Sequence, residues 1–273
     1  MLSTPSSPAN TGFTTKDLWK AAVNVGFWYP DKKGEQQFCS GGTGALIKST
    51  GTVLTNDHVI TLDDKEKADC PGAELWVGYA LTPDAEYFAW WKATPQGRDP
   101  VLDAAILAVD LTTDPWLEDS LLDPSPIRST TWPVLKVATT DEAPQLGDWI
   151  QLYSYPAIGG YSVTYTAGYV AGWTYDADTK ASSGIMKVDL TAAHGSSGSA
   201  VLDVEGRVVG LMMIVGSARG GEIVDCMEAA GDTNGDGKYD DADGCLPVGG
   251  FLNGAIALEP LRQFLNKNGL LVP

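Results

Sequence analysis

Ser197, His58 and Asp103 are the residues of this 273-residue chain whose types and order suit covalent chemistry. Ser197 stands in Gly195-Ser196-Ser197-Gly198-Ser199-Ala200, His58 in Thr55-Asn56-Asp57-His58-Val59, and Asp103 in Asp103-Ala104-Ala105-Ile106-Leu107. A neutral hydroxyl is a poor nucleophile at neutral pH, so attack on an acyl carbon needs a base to take its proton. An imidazole does this and later returns the proton to the leaving group, while a carboxylate on the far ring nitrogen fixes its tautomer. Glycines around the serine allow a tight turn whose backbone N–H groups face an oxyanion; Gly195 and Ser197 are the expected donors. Each piece alone has an ordinary reading: a turn serine, a structural histidine, a strand-start carboxylate with Asp99 as its competitor. Together, in the order His, Asp, Ser, and in a chain with only two histidines, they point to a serine hydrolase. A second serine-glycine segment, Ser182-Ser183-Gly184, lacks such a context and reads as a hairpin turn.

Elements able to hold these residues are strands. Apolar runs of strand length alternate with Gly, Asn, Asp and Pro: Gly44–Ile47, Thr52–Thr55, Glu74–Tyr79 and Ala105–Val109, then Trp149–Tyr153, Val163–Thr166, Gly168–Gly172, Met186–Leu190 and the run from Val208. Residues from Asp110 to Pro133, with Pro115, Pro124 and Pro126, read as a connection between two halves. At the end, Leu258, Leu261, Phe264 and Leu265 recur at helical spacing, with Pro260 in a first turn and Asn268-Gly269 to stop the helix. The expected fold is all-β: two antiparallel β-barrels and a C-terminal α-helix. The expected divisions are a flexible tail over 1–12, a first barrel and linker over 13–125, a second barrel over 126–257, and a helix and tail over 258–273.

A formal charge of −17, from 18 Lys plus Arg against 35 Asp plus Glu, sets up a field that repels nucleic acid and anionic membranes. No apolar run reaches the roughly 18 residues of a membrane-spanning helix. Four cysteines fit two disulfides; of the three pairings, the local closures Cys39 with Cys70 and Cys226 with Cys245 are the expected ones. Disulfides imply an oxidising, extracytoplasmic location, secreted or periplasmic. The first ten residues lack the basic and apolar regions of a signal peptide, so a leader removed before this point is expected. The nine tryptophans, Trp90-Trp91 among them, read as barrel core and rim.

Gly44–Ile47, Val53–Val59, Asp103–Leu107 and Gly195–Ser199 resemble the trypsin-like peptidases, on the bacterial branch that includes HtrA-type proteases and glutamyl endopeptidases. The resemblance spans most of 40–265, and Asn253–Ile256 is similar to the end of the glutamyl endopeptidase domain. It implies two six-stranded barrels, a His58-Asp103-Ser197 triad, an acyl-enzyme, and protein or peptide substrates. Departures narrow it. Ser196 stands where the digestive enzymes carry the aspartate that pairs with a new N-terminus, which argues against that mode of activation. Met212 replaces the histidine of glutamyl endopeptidases, and Thr191 replaces the pocket-floor aspartate of trypsin, so neither Glu nor Lys and Arg is the expected cleavage residue. The pocket strand would present some of Met212, Met213, Ile214 and Val215, suiting an apolar or small side chain, with His194 at the pocket entrance. The chain as given stops after the helix, without the peptide-binding module that HtrA-type enzymes append. Alternatives from other classes are an esterase with the same triad, an inactive homologue acting as a binding protein, and a calcium-dependent attachment module.

A second constellation lies in Asp232-Thr233-Asn234-Gly235-Asp236-Gly237-Lys238-Tyr239-Asp240-Asp241-Ala242-Asp243. Alternate oxygens converging on a hard cation around a glycine turn are the mark of a calcium loop. Asp232, Asn234, Asp236, the Lys238 carbonyl, Asp240 and Asp243 are the expected ligands of a structural Ca2+. The terminal Asp243 in place of glutamate resembles dockerin-type loops. Cys226 and Cys245 flank the loop, an insertion over 226–245 in the second barrel.

Overall fold

Alternation of side chains along the strands sorts the apolar residues into two barrel interiors and a seam between them. The computed structural model describes residues 15–85, 88–119, 133–156, 162–176, 181–214, 226–228, 245–247 and 252–271. A 3-10 turn over Thr15–Ala21 leads into β1 (Ala22–Pro30), β2 (Gln36–Lys48) and β3 (Thr52–Thr55). After α1 (Asp64–Asp69) come β4 (Glu74–Ala80), β5 (Phe88–Asp99), β6 (Ala104–Val109) and β7 (Trp116–Leu117). The order β4-β1-β2-β3-β6-β5 is closed by pairing of β4 with β5, giving a six-stranded antiparallel barrel with β7 added to the start of β5.

The second half supplies β8 (Trp149–Ser154), β9 (Thr164–Asp176), β10 (Ala181–Asp189), β11 (Ala200–Leu202) and β12 (Val208–Ile214). It continues with β13 (Cys226–Glu228), β14 (Cys245–Pro247), β15 (Asn253–Ala257) and α2 (Leu258–Lys267). Strands β10-β15-β12-β11-β8-β9 form the second closed barrel, and β13 and β14 pair as a separate ladder.

Val23, Val25, Leu46, Val53, Val77, Trp91 and Leu107 fill the first barrel, while Asn24, of opposite parity in β1, faces out of it. Ile150, Leu152, Val170, Met186, Val188, Val201 and Met212 fill the second. The seam joins Leu54 and Ile106 of one barrel to Leu202, Leu211 and Ile256 of the other, and α2 seals it with Leu261, Phe264 and Leu265. All three are almost fully buried, and truncating one to alanine costs about 2–5 kcal/mol. The helix stops at Asn268, followed by Gly269 with φ 68°, as its sequence predicts. Trp90 and Trp91 are both core residues.

Three expectations change. Val163–Thr166 and Gly168–Gly172 belong to one continuous strand, β9 from Thr164. Ser182-Ser183-Gly184 is no hairpin turn: it lies inside β10, where the register with β9 shifts between Ser182 and Met186 and Gly184 has φ 81°. An inserted bulge uses the same residues as a turn, which explains the misreading. The second barrel was expected over 126–257, but its first strand starts only at Trp149. The preceding segment instead stitches the halves together: Leu135 N–H donates to Leu46 O (2.9 Å), and Val208 N–H to Lys136 O (2.7 Å). Cys39 of β2 is bonded to Cys70 at the end of α1, closing a separation of 31 residues.

Candidate active site

His58 is carried by a single 3-10 turn, His58–Ile60, directly after β3. Val59 and Ile60 are buried in the first barrel, which anchors the turn and leaves the imidazole about half exposed (51%) in the cleft. Asp57 is buried and meets Arg98 of β5 through two hydrogen bonds, from Nε to Oδ1 (2.6 Å) and from Nη2 to Oδ2 (3.0 Å). The Asp57 carboxylate, through its hydrogen bonds, holds the Arg98 guanidinium above its ordinary pKa.

Asp103 ends the turn between β5 and β6 and takes φ 59°, the only positive value at a non-glycine among the described residues. Its Oδ1 accepts the His58 backbone N–H (2.9 Å), and its Oδ2 lies 2.7 Å from His58 Nδ1. A carboxylate only accepts, so Nδ1 is the donor in this bond. Asp99 has other work: it caps the same turn by accepting from Val101 N–H and Leu102 N–H.

Ser197 sits in the turn before β11. Gly195 (φ 92°) and Gly198 (φ 83°) have left-handed backbones, so only glycine fits there without strain. Ser196 N–H donates to Ala193 O, Gly198 N–H to Met212 O and Ser199 N–H to Ser196 O. No acceptor for the N–H of Gly195 or Ser197 stands among the described hydrogen bonds. Ser196 is buried, and its hydroxyl accepts from Ala193 N–H and donates to Ser154 Oγ (3.3 Å).

Thr43 joins the two halves of the site. Its N–H donates to Ser197 O (2.8 Å), its hydroxyl donates to Gly195 O (2.7 Å), and that hydroxyl accepts from Tyr155 N–H (2.9 Å). Its flanking glycines are needed: a Cβ at Gly42 would lie 2.9 Å from Ser197 O. The segment Gly41-Gly42-Thr43-Gly44 within a strand is a sequence signal of such close backbone approach that the motif reading missed. Asn56, fully buried, was likewise missed; its Nδ2 donates to Asp103 O (2.7 Å).

His58, Ser197, Gly195 and His194 line one cleft of about 340 Å3 together with Asn24, Phe38, Ser40, Gly41, Gly42 and Tyr155. Burial pushes the Tyr155 phenol well above its ordinary pKa, so it remains a neutral hydroxyl. Of the expected pocket residues, His194 is in the cleft and Thr191 is exposed outside its lining. Met212 points into the second barrel core and Met213 packs against the seam, so neither lines the cleft. The Ile214 side chain and Val215 lie outside the described residues, as do the loop ligands Asp232, Asn234, Asp236, Lys238, Asp240 and Asp243 and the side chains of Cys226 and Cys245.

Residues 42–211 match the family model described as "Trypsin-like peptidase domain". The chain is 28% identical over 191 residues to a "Probable periplasmic serine endoprotease DegP-like" of Bartonella henselae, covering 67% of this chain and 29% of that protein. Proteins of the same description from Brucella suis and Marinomonas sp. are 24% and 27% identical over 194 and 192 residues, each covering 70% of this chain and 31% and 33% of the relative. The chain thus spans about a third of the length of these curated relatives.

Proposed function

The chain belongs to the trypsin-like peptidases, and from that premise we propose that it is a serine endopeptidase acting through His58, Asp103 and Ser197. The observation that carries this reading is His58, bonded through Nδ1 to Asp103 at 2.7 Å and sharing one cleft with Ser197. In the proposed reaction His58 Nε2 removes the Ser197 proton as Oγ attacks the peptide carbonyl. Asp103 stabilises the imidazolium, and the Gly195 and Ser197 N–H groups receive the oxyanion, each such donor contributing about 3–4 kcal/mol. The imidazolium then protonates the leaving amine, and an acyl-enzyme on Ser197 is released by water through the same base. Fluorophosphonate labelling of Ser197, absent in Ser197→Ala and suppressed in His58→Ala, with cleavage of a denatured protein, is the expected result. Failure of the unaltered protein to label overturns the reading, and labelling without peptide cleavage transfers it to an esterase.

Within this reading His194, which lines the cleft beside Ser197, is proposed to meet a polar or acidic group of the substrate. Calcium at Asp232–Asp243 is proposed on the sequence pattern, supported by the β13–β14 ladder, which brings the two ends of the intervening segment together. Chelation then lowers the melting temperature, and an unchanged midpoint refutes the site. A secreted or periplasmic location is supported by the Cys39–Cys70 bond and by the description of the relatives as periplasmic.

A further inference from the structure

We infer that Asn56 is a positioning residue that holds Asp103 in its left-handed backbone conformation, so that both carboxylate oxygens face His58. The inference rests on the triad proposed above. A left-handed backbone is uncommon for a residue with a side chain; aspartate tolerates it better than most, yet it still costs free energy that the surroundings must offset. Asp103 needs that conformation because its two oxygens serve two donors on one residue, the backbone N–H and Nδ1 of His58. Those two bonds hold the carboxylate, and the peptide behind it needs a separate tether. Asn56 provides one, since its Nδ2 reaches the Asp103 carbonyl at 2.7 Å.

The orientation of the Asn56 amide follows from chemistry: a carbonyl oxygen only accepts, so the nitrogen must face it. The other end of the amide is then stranded. Asn56 is fully buried, and its Oδ1 has no hydrogen-bond partner among the described residues. A half-satisfied buried amide is a poor choice for stability, and a small apolar residue would fill the space without an orphaned acceptor. What Asn56 supplies, and an apolar residue does not, is the bond to Asp103. It also stands two positions before His58, so one short segment carries the base and grips the backbone of its carboxylate. Neighbouring Asp57 does the reverse and grips Arg98, fixing the turn against β5.

The test starts from the unaltered protein, labelled with 15N and 13C. A slowly exchanging Asn56 side-chain amide with a through-hydrogen-bond coupling to the Asp103 carbonyl carbon is expected; rapid exchange with no coupling overturns the inference without any variant. Asn56→Ala and the isosteric Asn56→Asp are then compared by kcat, KM and the downfield proton signal of His58 Nδ1–H, with active enzyme counted by fluorophosphonate titration. Misplacement of a catalytic group by around an ångström costs roughly 100-fold, so a 10–100-fold fall in kcat per titrated site is expected. KM should stay within about twofold, and the Nδ1–H signal should shift or broaden. A fall in melting temperature with unchanged kcat per site and an unchanged Nδ1–H signal reduces Asn56 to a structural residue. An unaltered protein that neither labels nor cleaves defeats the triad reading instead, so the two failures are distinct.

Discussion

The two barrels build their halves of the site by different means. The first presents His58 and Asp103 through side-chain hydrogen bonds: Asn56 to the Asp103 peptide, Asp57 to Arg98, and the Asp103 carboxylate to His58 twice. The second presents Ser197 through backbone conformation, with two left-handed glycines, Gly195 and Gly198, and a turn closed by main-chain bonds to Ala193 and Met212. A general base needs one tautomer and a fixed ring plane, which specific partners supply. An oxyanion site needs donors converging on one point, and here the main chain's own path is positioned to supply them. Thr43 is where the two modes meet, because its side chain and its main chain both grip the serine turn.

This contrast is breakable, and the largest effect is on rate. Asp103→Asn keeps the shape but presents an amide to His58 Nδ1, inviting the wrong tautomer, and kcat should fall about 10,000-fold. The fold should persist, because the loss falls on one side-chain bond. Stopped-flow acylation at neutral pH measures it; a fall below tenfold means that the first barrel does not work through this carboxylate.

Gly198→Ala tests the second barrel. A Cβ there would lie 2.1 Å from Thr43 O and 2.3 Å from Thr55 Oγ1, in a backbone of φ 83°. Overpacking and strain together should cost about 4 kcal/mol in chemical denaturation. The comparison predicts that labelling of Ser197 is lost even in the molecules that remain folded. Full labelling in a destabilised variant would show that the turn tolerates a change of path.

Legibility of the sequence follows the same division. His58, Asp103 and Ser197 stood out as candidates because their chemistry admits few residue types and the chain has two histidines in all. Gly195 and Gly198 were readable because left-handed turns select glycine. Thr43 and Asn56 were not, since a threonine between glycines and an asparagine before an aspartate look like loop residues until a partner distant in sequence is known. The two barrels followed from apolar runs punctuated by turn residues, but side-chain parity along a strand sends Met212 and Met213 to opposite faces. Met212 enters the barrel core and Met213 the seam, which a position-by-position likeness to pocket residues does not reveal. The bulge in β10 escaped for a local reason, because Ser-Ser-Gly satisfies a turn and a bulge equally well.

The Cys39–Cys70 bond extends the first barrel's reliance on specific side-chain links, tying β2 to α1 across 31 residues. Closing a loop of that length in the unfolded chain is worth about 3.7 kcal/mol in the chain-entropy model. Cys39→Ser/Cys70→Ser should therefore melt earlier by several degrees, with kcat little changed, because the bond braces neither His58 nor Asp103 directly. A large loss of kcat in the folded double variant would place this link among the supports of the site.

The smallest effect probes whether the segment that joins the barrels follows the first barrel's mode. Glu142 closes a capping turn by accepting from Thr139 N–H (2.7 Å), and it meets Arg207, which also binds Asp203 (2.6 Å). The Thr139 N–H, with Arg207 nearby, holds the Glu142 carboxyl below its ordinary value of 4.5. A depressed carboxylate pKa adds stability that is complete above the unfolded value and disappears as pH falls through the folded one. Glu142→Gln should then lower stability at pH 7 by less than about 1 kcal/mol, since the carboxylate is a third exposed. The difference from the unaltered protein should shrink to nothing on acidification through the carboxylate range. Denaturation midpoints from pH 7 downward through the carboxylate range measure both; a gap that does not narrow as pH falls would assign the effect to the shape of the turn, and so to the backbone mode of the second barrel.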